Sequence, residues 1–493
     1  MSHSATRSGS SRRRRRAQRG SSLITTIMLT TVAALLVLVS FSYARSTTTQ
    51  TQREGRTDLA LQVADAGVSR YISRLVEDPR YYDHFIDKAE DPRIDPSGQV
   101  HLPGTAWTPG VPWTYASGTP TTWTTLQDAR FGQSAYSLRI APPPPGSDLV
   151  TVQSTAQVGR GQPNPVMRSI QSQIHPTSIA DFQMISNATV KYGSTATTTG
   201  KLYSAVDINH QGIARAPAYA QHWACSSSQF DCPSSSPPSS VFQGGAYDSK
   251  TTPSFQSKFA TPIDFSQFTQ SRLDIKDAAT ASGTAFNDPS VNAWMVQFLA
   301  SGQMKIWRVT GSSDPGQQVN TLSCYSTINV PSSGAVYFEQ SVIVSDGSTK
   351  TDSCGASTGP RPSVVNGRVT IATKANVYIG GNIAYSAPGD DVLGLIAGNE
   401  VIIAKYTPTN LTWRAASLAQ TGQWRTWTGT ADGHGSMLYI GSQTTSDGGY
   451  ASMFNTREYQ YDDTLQRLRP PFYPILEGSW DTFYWREVKA PGT

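Results

Sequence analysis

Residues 12–44 read RRRRRAQRGSSLITTIMLTTVAALLVLVSFSYA, and this stretch decides how the rest of the chain is taken. From Ser21 to Ala44 there are 24 residues without a charge. At about 1.5 Å per residue a helix of that length is roughly 36 Å long, enough to cross a bilayer core of about 30 Å. Seven arginines precede it (Arg7, Arg12, Arg13, Arg14, Arg15, Arg16 and Arg19) with no acidic residue among them. The positive-inside rule then leaves the leader in the cytoplasm and sends the remainder out.

Past Ala44 the pattern becomes polar but stays helical. Leu61, Ala64, Val68, Ile72 and Leu75 recur at spacings of three and four, so they share one face, with Glu54 and Asp58 on a solvated side. Asp78-Pro79 ends the pattern, because a residue before proline is pushed out of the α region. The spacing predicts one helix over residues 21–78.

A basic leader ending in Gly20, an apolar span, then an unbroken amphipathic helix: this order resembles the class III signal and N-terminal helix of type IV pilins, and is most similar to the large minor pilins of the PilX type. The resemblance implies cleavage by a prepilin peptidase between Gly20 and Ser21. It implies a single pass of the inner membrane before assembly, and afterwards packing among other pilins through the helix. The bulk of the chain would then lie outside the cytoplasm, in the pilus or on the cell surface. Pilins usually carry glutamate at the fifth residue after the cut, to pair with a neighbour's N-terminal amine; here that residue is Thr25. The resemblance therefore implies a subunit at or near the tip, with none above it. Two other readings use the same residues. One is a secretory signal peptide cut after Ser42-Tyr43-Ala44, although its apolar run exceeds the usual 7–15 or so. The other is a plain single-pass anchor.

Charged residues make up 15% of the chain, well below the usual quarter or so, while glycine (40) and proline (31) are abundant; this favours short strands and turns. Taking the seven leader arginines from the 40 Lys+Arg leaves 33 against 35 Asp+Glu, so the basic character belongs to membrane topology and is not a nucleic-acid footprint. Cys225, Cys232, Cys324 and Cys354 all fall in the part expected outside, where an even count is consistent with two disulfides. Three connectivities exist. Cys225–Cys232 with Cys324–Cys354 is favoured, since each pair brackets a Ser-rich loop. Zinc is disfavoured, because six residues separate the first pair where ligands usually stand two to four apart.

The expected fold class is α+β: the long helix packed on an antiparallel sheet, plus a large, mostly β domain. Residues 79–175 are read as an irregular loop followed by strands at Ala135–Ile140, Leu149–Val158 and Val166–Ile174, punctuated by Pro142–Gly146 and Gly159–Pro163. This is similar to the meander that follows the helix in pilins. Residues 176–475 are read as an inserted or appended β-rich domain. It is expected to include strands at Leu202–Ile208 and Met304–Val309, and a short helix over Asp288–Ala300 with Asp288 as cap and Pro289 in the first turn. Short β runs recur from 335 to 445 between Gly, Asn and Asp bends, which suits a β-solenoid, with a sandwich as runner-up. Asn376–Tyr385, Asp391–Ile403, Arg457–Leu465 and Arg469–Pro474 are similar to the solenoid portion of large pilin-like surface proteins. Within residues 476–493, Thr482–Val488 is read as a last strand returning to the first sheet.

Sequence motifs for catalysis are missing: there is no His-Glu-x-x-His, Gly-x-Ser-x-Gly, P-loop or dinucleotide fingerprint. The chain is read as a non-enzyme without cofactor or metal. Asp432-Gly-His434-Gly-Ser436 is read as a turn, since adjacency in sequence is not triad geometry. Asp390-Asp391 and Asp462-Asp463 are candidate Ca²⁺ ligands without EF-hand spacing. The candidate DNA contact is Lys405, Trp413, Arg414, Trp424, Arg425 and Trp427, which lie between Glu400 and Asp432 with no acid among them. Aromatic rings stack bases and cations meet phosphates. Resemblance to ComZ-like large minor pilins implies binding of extracellular DNA during natural transformation, or of another surface ligand. The rival reading is a membrane-anchored or secreted β-helix surface protein that binds or acts on polysaccharide.

Overall fold

The computed structural model describes residues 14–77, 79, 81, 123–126, 133–141, 148–161, 165–193, 196–206, 208–210, 213–220, 241–243, 255–256, 262–348, 359–428 and 432–490. Helix α1 spans Arg14–Glu77, 64 residues, or about 96 Å. Its segment Thr25–Ala44 has a mean hydropathy of 2.1 and is nowhere buried, so by length and composition it can cross a membrane once. The Thr30 and Thr31 hydroxyls inside it donate back to the carbonyls of Thr26 and Ile27, which satisfies them where no water reaches.

The later half of α1 packs on a sheet through Ala60, Val63, Ala64, Val68, Tyr71 and Leu75. This differs from the expected stripe: Leu61 and Ile72 are only partly buried, at its edges. Gly67 explains the rotation. A Cβ there would lie 2.5 Å from Ser154 Oγ and 2.9 Å from the Tyr136 ring, so helix and sheet meet at backbone distance and the face centred on Gly67 is the one covered. Glycine inside a helix costs about 1 kcal/mol; close packing of the two elements offsets it.

The sheet is antiparallel. It runs β1 (Thr124–Thr125), β2 (Ser134–Ala141), β3 (Val150–Val158), β4 (Val166–Ser178), then the C-terminal strand Ile475–Val488 beside β4. That last strand starts seven residues before the stretch read as a strand. Its register shifts between Ile475 and Trp480, where Gly478 has φ +67°, the mark of a bulge. Ser178 and Ile475 are register partners. The chain therefore leaves this sheet and re-enters it at one point, and residues 179–474 form a body between.

Most of that body is β. Ala335–Phe338, Arg368–Thr373, Val392–Ala397, Asn410–Ala419 and His434–Thr445 pair in parallel, in that order. The strands that follow each of them (Ser341–Val344, Val377–Ile379, Val401–Ile403, Trp424–Thr426, Gly449–Tyr450) pair likewise in a second parallel sheet. The chain thus alternates between two sheets. Register partners Val336, Ile371, Leu395, Ser417 and Gln443 lie 35, 24, 22 and 26 residues apart. Val336, Ile371 and Leu395 face a core shared with Val344, Ile379 and Ile403 of the second sheet. Tyr337, Ala372, Ile396 and Leu418 face the other way, into a second cluster that also holds Leu465, Tyr473 and the Phe268, Ile275 and Ala279 side chains of helix α2 (Phe268–Ala281). Both faces are apolar, so these strands read as short continuous runs without alternation.

The helix expected over Asp288–Ala300 is a strand instead, Ala293–Leu299, in a hairpin with Gln303–Thr310. Trp294, Val296 and Phe298 enter the inner core, while Ala293 and Met295 enter a second cluster with Trp307. Burial on both faces outweighs the cap signal. Asp288 makes a turn, accepting from Ser290 N at 3.0 Å, and pairs with Arg308 at 2.8 Å.

One crossover orders the body. Gln443–Thr445 pairs with Met184–Ser186, which pairs with Leu202–Ser204 and then Ala218–Ala220. The chain therefore builds one end first and starts the other end at Ala285–Phe286, paired with Tyr337–Phe338. Helix α2, 14 residues or about 21 Å long, covers roughly four strand spacings and carries the chain back.

Where sheet and body meet, the Asp181 carboxylate accepts from Ser178 N at 2.6 Å, and Ser178 Oγ donates to Pro474 O at 2.8 Å. Burial pushes the Asp181 carboxyl up to about 6. His175 stands 3.8 Å away, and Lys201 and Asp481 also act on it. The folded chain keeps this proton up to pH about 6, the unfolded chain only to about 3.8. The group's stabilising contribution is therefore complete below pH ~4 and lost as pH rises through ~6, a change on the order of 3 kcal/mol. In Asp181→Asn that decline is expected to vanish from the melting temperature measured against pH in detergent. Parallel wild-type and variant curves between pH 4 and 6.5 would show that Asp181 does not control this junction.

Candidate functional site

The six residues read as a DNA contact do not form one surface. Trp413 and Trp424 are 0% and 1% exposed. They sit in the inner core around Tyr439, with ring centroids 4.2 Å (Trp413–Tyr439) and 5.8 Å (Trp424–Tyr439) apart. No base can reach them. Arg425 is held by Glu400 through two bonds of 2.9 Å, and Arg414 faces Asp462 at 3.0 Å. Trp427 is half-buried and donates from Nε1 to Asp314 at 2.8 Å; Lys405 lies exposed over its ring. The stretch holds no acid in sequence, but neighbouring strands and loops bring three to it. The stacking that single-strand binding needs is gone, and of the three cations only Lys405 is exposed without a carboxylate among the described residues.

The other candidates resolve into structure. His434 Nε2 lies 3.2 Å from Thr407 O, and its ring packs edge-on against Phe454; Ser436 Oγ donates to Asn410. His and Ser therefore serve different partners. Asp391 accepts from the backbone N–H of Gly367 and of Ala387, each at 2.6 Å, and Asp462 accepts from Thr464 N, so these carboxylates fix turns. Among the described residues no group of three or more His, Cys, Asp or Glu could hold a metal. Cys324, on the strand Thr321–Asn329, is not a free thiol but half of a disulfide. Cys225, Cys232 and Cys354 lie outside the described residues, and so does the proposed pairing. Gly20 and Ser21 lie within α1, with side chains outside what is described.

A cavity of about 410 Å³ opens where the two ends of the chain path meet. It exists because Gln443–Thr445 pairs with Met184–Ser186, so the segment after Met184 faces the last strands. Its walls include Tyr192, Trp424, Gln443, Tyr450, Arg457 and Tyr459. Tyr192 and Tyr459 meet edge to face at 5.4 Å, and burial raises both phenols, Tyr459 to about 12, so they remain neutral hydroxyls. Tyr450 is 39% exposed, at the rim. Gln443 is only 5% exposed and brings a side-chain amide to the wall. Arg457 is half-buried. It gives one N–H to Ala451 O at 3.3 Å and meets no carboxylate among the described residues. Sequence reading missed this site. Its walls come from segments more than 200 residues apart, and no local motif joins them.

Comparison of the chain with family models, with curated proteins and with solved structures yields no match.

Proposed function

We propose that the chain is a non-enzymatic minor pilin of a type IV pilus. Helix α1 holds it, and the body of residues 179–474 is a β-solenoid displayed at or near the tip to meet an extracellular ligand. The observation that carries this reading is α1. One unbroken helix has an exposed segment, Thr25–Ala44, apolar enough for a membrane, and continues as the core-packed helix of a globular sheet. A signal peptide ends at its cleavage site, and a plain anchor needs no rigid continuation. A subunit that passes from bilayer to fibre needs both halves in one rod. The arginine leader and Gly20-Ser21 add the cleavage site, and Thr25 adds the tip position. Parallel strands stacked turn on turn support the solenoid. Disulfides Cys225–Cys232 and Cys324–Cys354 would brace its loops. Partners in this reading are a prepilin peptidase, the inner membrane and other pilins. The rival, a membrane-anchored or secreted β-helix protein that engages polysaccharide, is favoured by one observation, the aromatic cavity.

The mature N-terminus decides between them. Mass spectrometry of protein from cells is expected to find a chain beginning at Ser21, and Gly20→Ala is expected to stay uncut and absent from sheared surface fibres. A chain beginning at Arg45, or uncut in both, would overturn the pilin reading.

A further inference from the structure

We infer that the cavity between the two ends of the body binds an acidic saccharide, its ring against the tyrosines and its carboxylate at Arg457. The inference rests on reading the body as a ligand-binding head, and holds whether a pilus or a plain anchor carries that head.

Three features together point to this chemistry. The first is size: about 410 Å³ lies within the range of small-molecule sites, ~300–1,000 Å³. The second is the wall. Tyr450, 39% exposed at the rim, presents ring surface, and Tyr192 and Tyr459 show ring edges on the wall; the C–H faces of a sugar pack on such rings while its hydroxyls need polar partners. The third is polar chemistry on the wall, where Gln443 brings a side-chain amide. A sugar hydroxyl can both donate to and accept from that amide.

Arg457 selects the charge. It is half-buried on the wall, has only the Ala451 carbonyl as hydrogen-bond partner among the described residues, and can still offer a two-pronged contact. Such a fork matches a carboxylate. A purely aromatic site would take neutral and acidic sugars alike; Arg457 makes the difference. Nucleic acid fits poorly, because the concave walls enclose one or two rings, and a strand needs a basic track outside the cavity.

The test uses the full-length protein in detergent, followed by isothermal titration calorimetry and Trp fluorescence. The probes are digalacturonate and its neutral counterpart galactobiose. Saturable binding of digalacturonate, at least tenfold tighter than galactobiose, is expected. Arg457→Gln should erase that preference, and Tyr450→Ala, at the exposed rim, should weaken both sugars without changing the melting temperature. Lys405→Ala, outside the cavity, should change neither. No saturable binding of either sugar would overturn the inference. So would inorganic phosphate binding as tightly as digalacturonate, which indicates a simple anion site, or displacement of the sugar by single-stranded oligonucleotide. Because N-terminal processing is read on separate material, failure here leaves the pilin reading standing, and the reverse also holds.

Discussion

Trp413→Ala is expected to lower the unfolding free energy of the body by about 3–5 kcal/mol, the cost of deleting a large aromatic ring from a close-packed core. Trp413 is 0% exposed, lies 4.2 Å from Tyr439 and 5.8 Å from Trp424, centroid to centroid, and is the register partner of Tyr439 on the next strand. Removing it uncovers two rings at once. It also loosens Tyr439, whose hydroxyl donates to Ala415 O at 3.0 Å. Trp413→Phe should cost only about 1–2 kcal/mol, since it keeps a ring and deletes an indole N–H that is buried without a partner among the described residues. Lys405→Ala, fully on the surface of the same stretch, should stay within about 0.5 kcal/mol. Denaturant unfolding in detergent, followed by near-UV circular dichroism, measures all three. An alanine variant as stable as wild type would mean that the interior closes over the gap and that the stacked rings do not hold the turns together.

Truncation after Pro474 is expected to abolish the first sheet while sparing the body. The C-terminal strand covers β4 along most of its length and seats Trp480 against the core under α1. Arg486 gives Gln171 two bonds, of 3.0 and 2.7 Å. Without the strand, β4 becomes a bare edge of 13 residues, and such edges pair with other chains. The body enters and leaves at one register pair, Ser178 and Ile475, so its own pairing does not pass through the lost strand. Trypsin should then cut α1 at Arg70 and Arg74, where docking on the sheet otherwise keeps the backbone helical, and the protein should aggregate on size exclusion. Far-UV signal from the parallel sheets should persist. Resistance of Arg70 and Arg74 in the truncated chain would show that the four remaining strands suffice to hold the helix.

These two experiments probe opposite kinds of information. Helix α1 was legible in the sequence because its signals are local: a run without charge is long enough or it is not, and apolar spacing of three and four needs only the next turn of helix. Strands such as Val150–Val158 and Val392–Ala397 were legible for the same reason. Where local signals competed with burial, they lost. Pro289 after Asp288 promised a helix, and a strand buried on both faces formed instead. The stripe on α1 turned by one residue because Gly67 decided which face could touch the sheet.

The sites divide along the same line. Trp413, Trp424, Arg414 and Arg425 crowd together in sequence, yet parallel stacking turned the rings inward and supplied Glu400 and Asp462 to the arginines. The cavity shows the converse. Tyr192 and Tyr459 come together only because the strand ending at Thr445 accepts Met184–Ser186 as its neighbour, with α2 carrying the chain back along the outside. The apolar helix and strands such as Val150–Val158 and Val392–Ala397 were readable from the sequence alone, because each rests on contacts within a few residues. Which side chains are free, which are paired and which share a cavity was decided only by tertiary structure, because those contacts join residues hundreds of positions apart and leave no periodic trace in the chain.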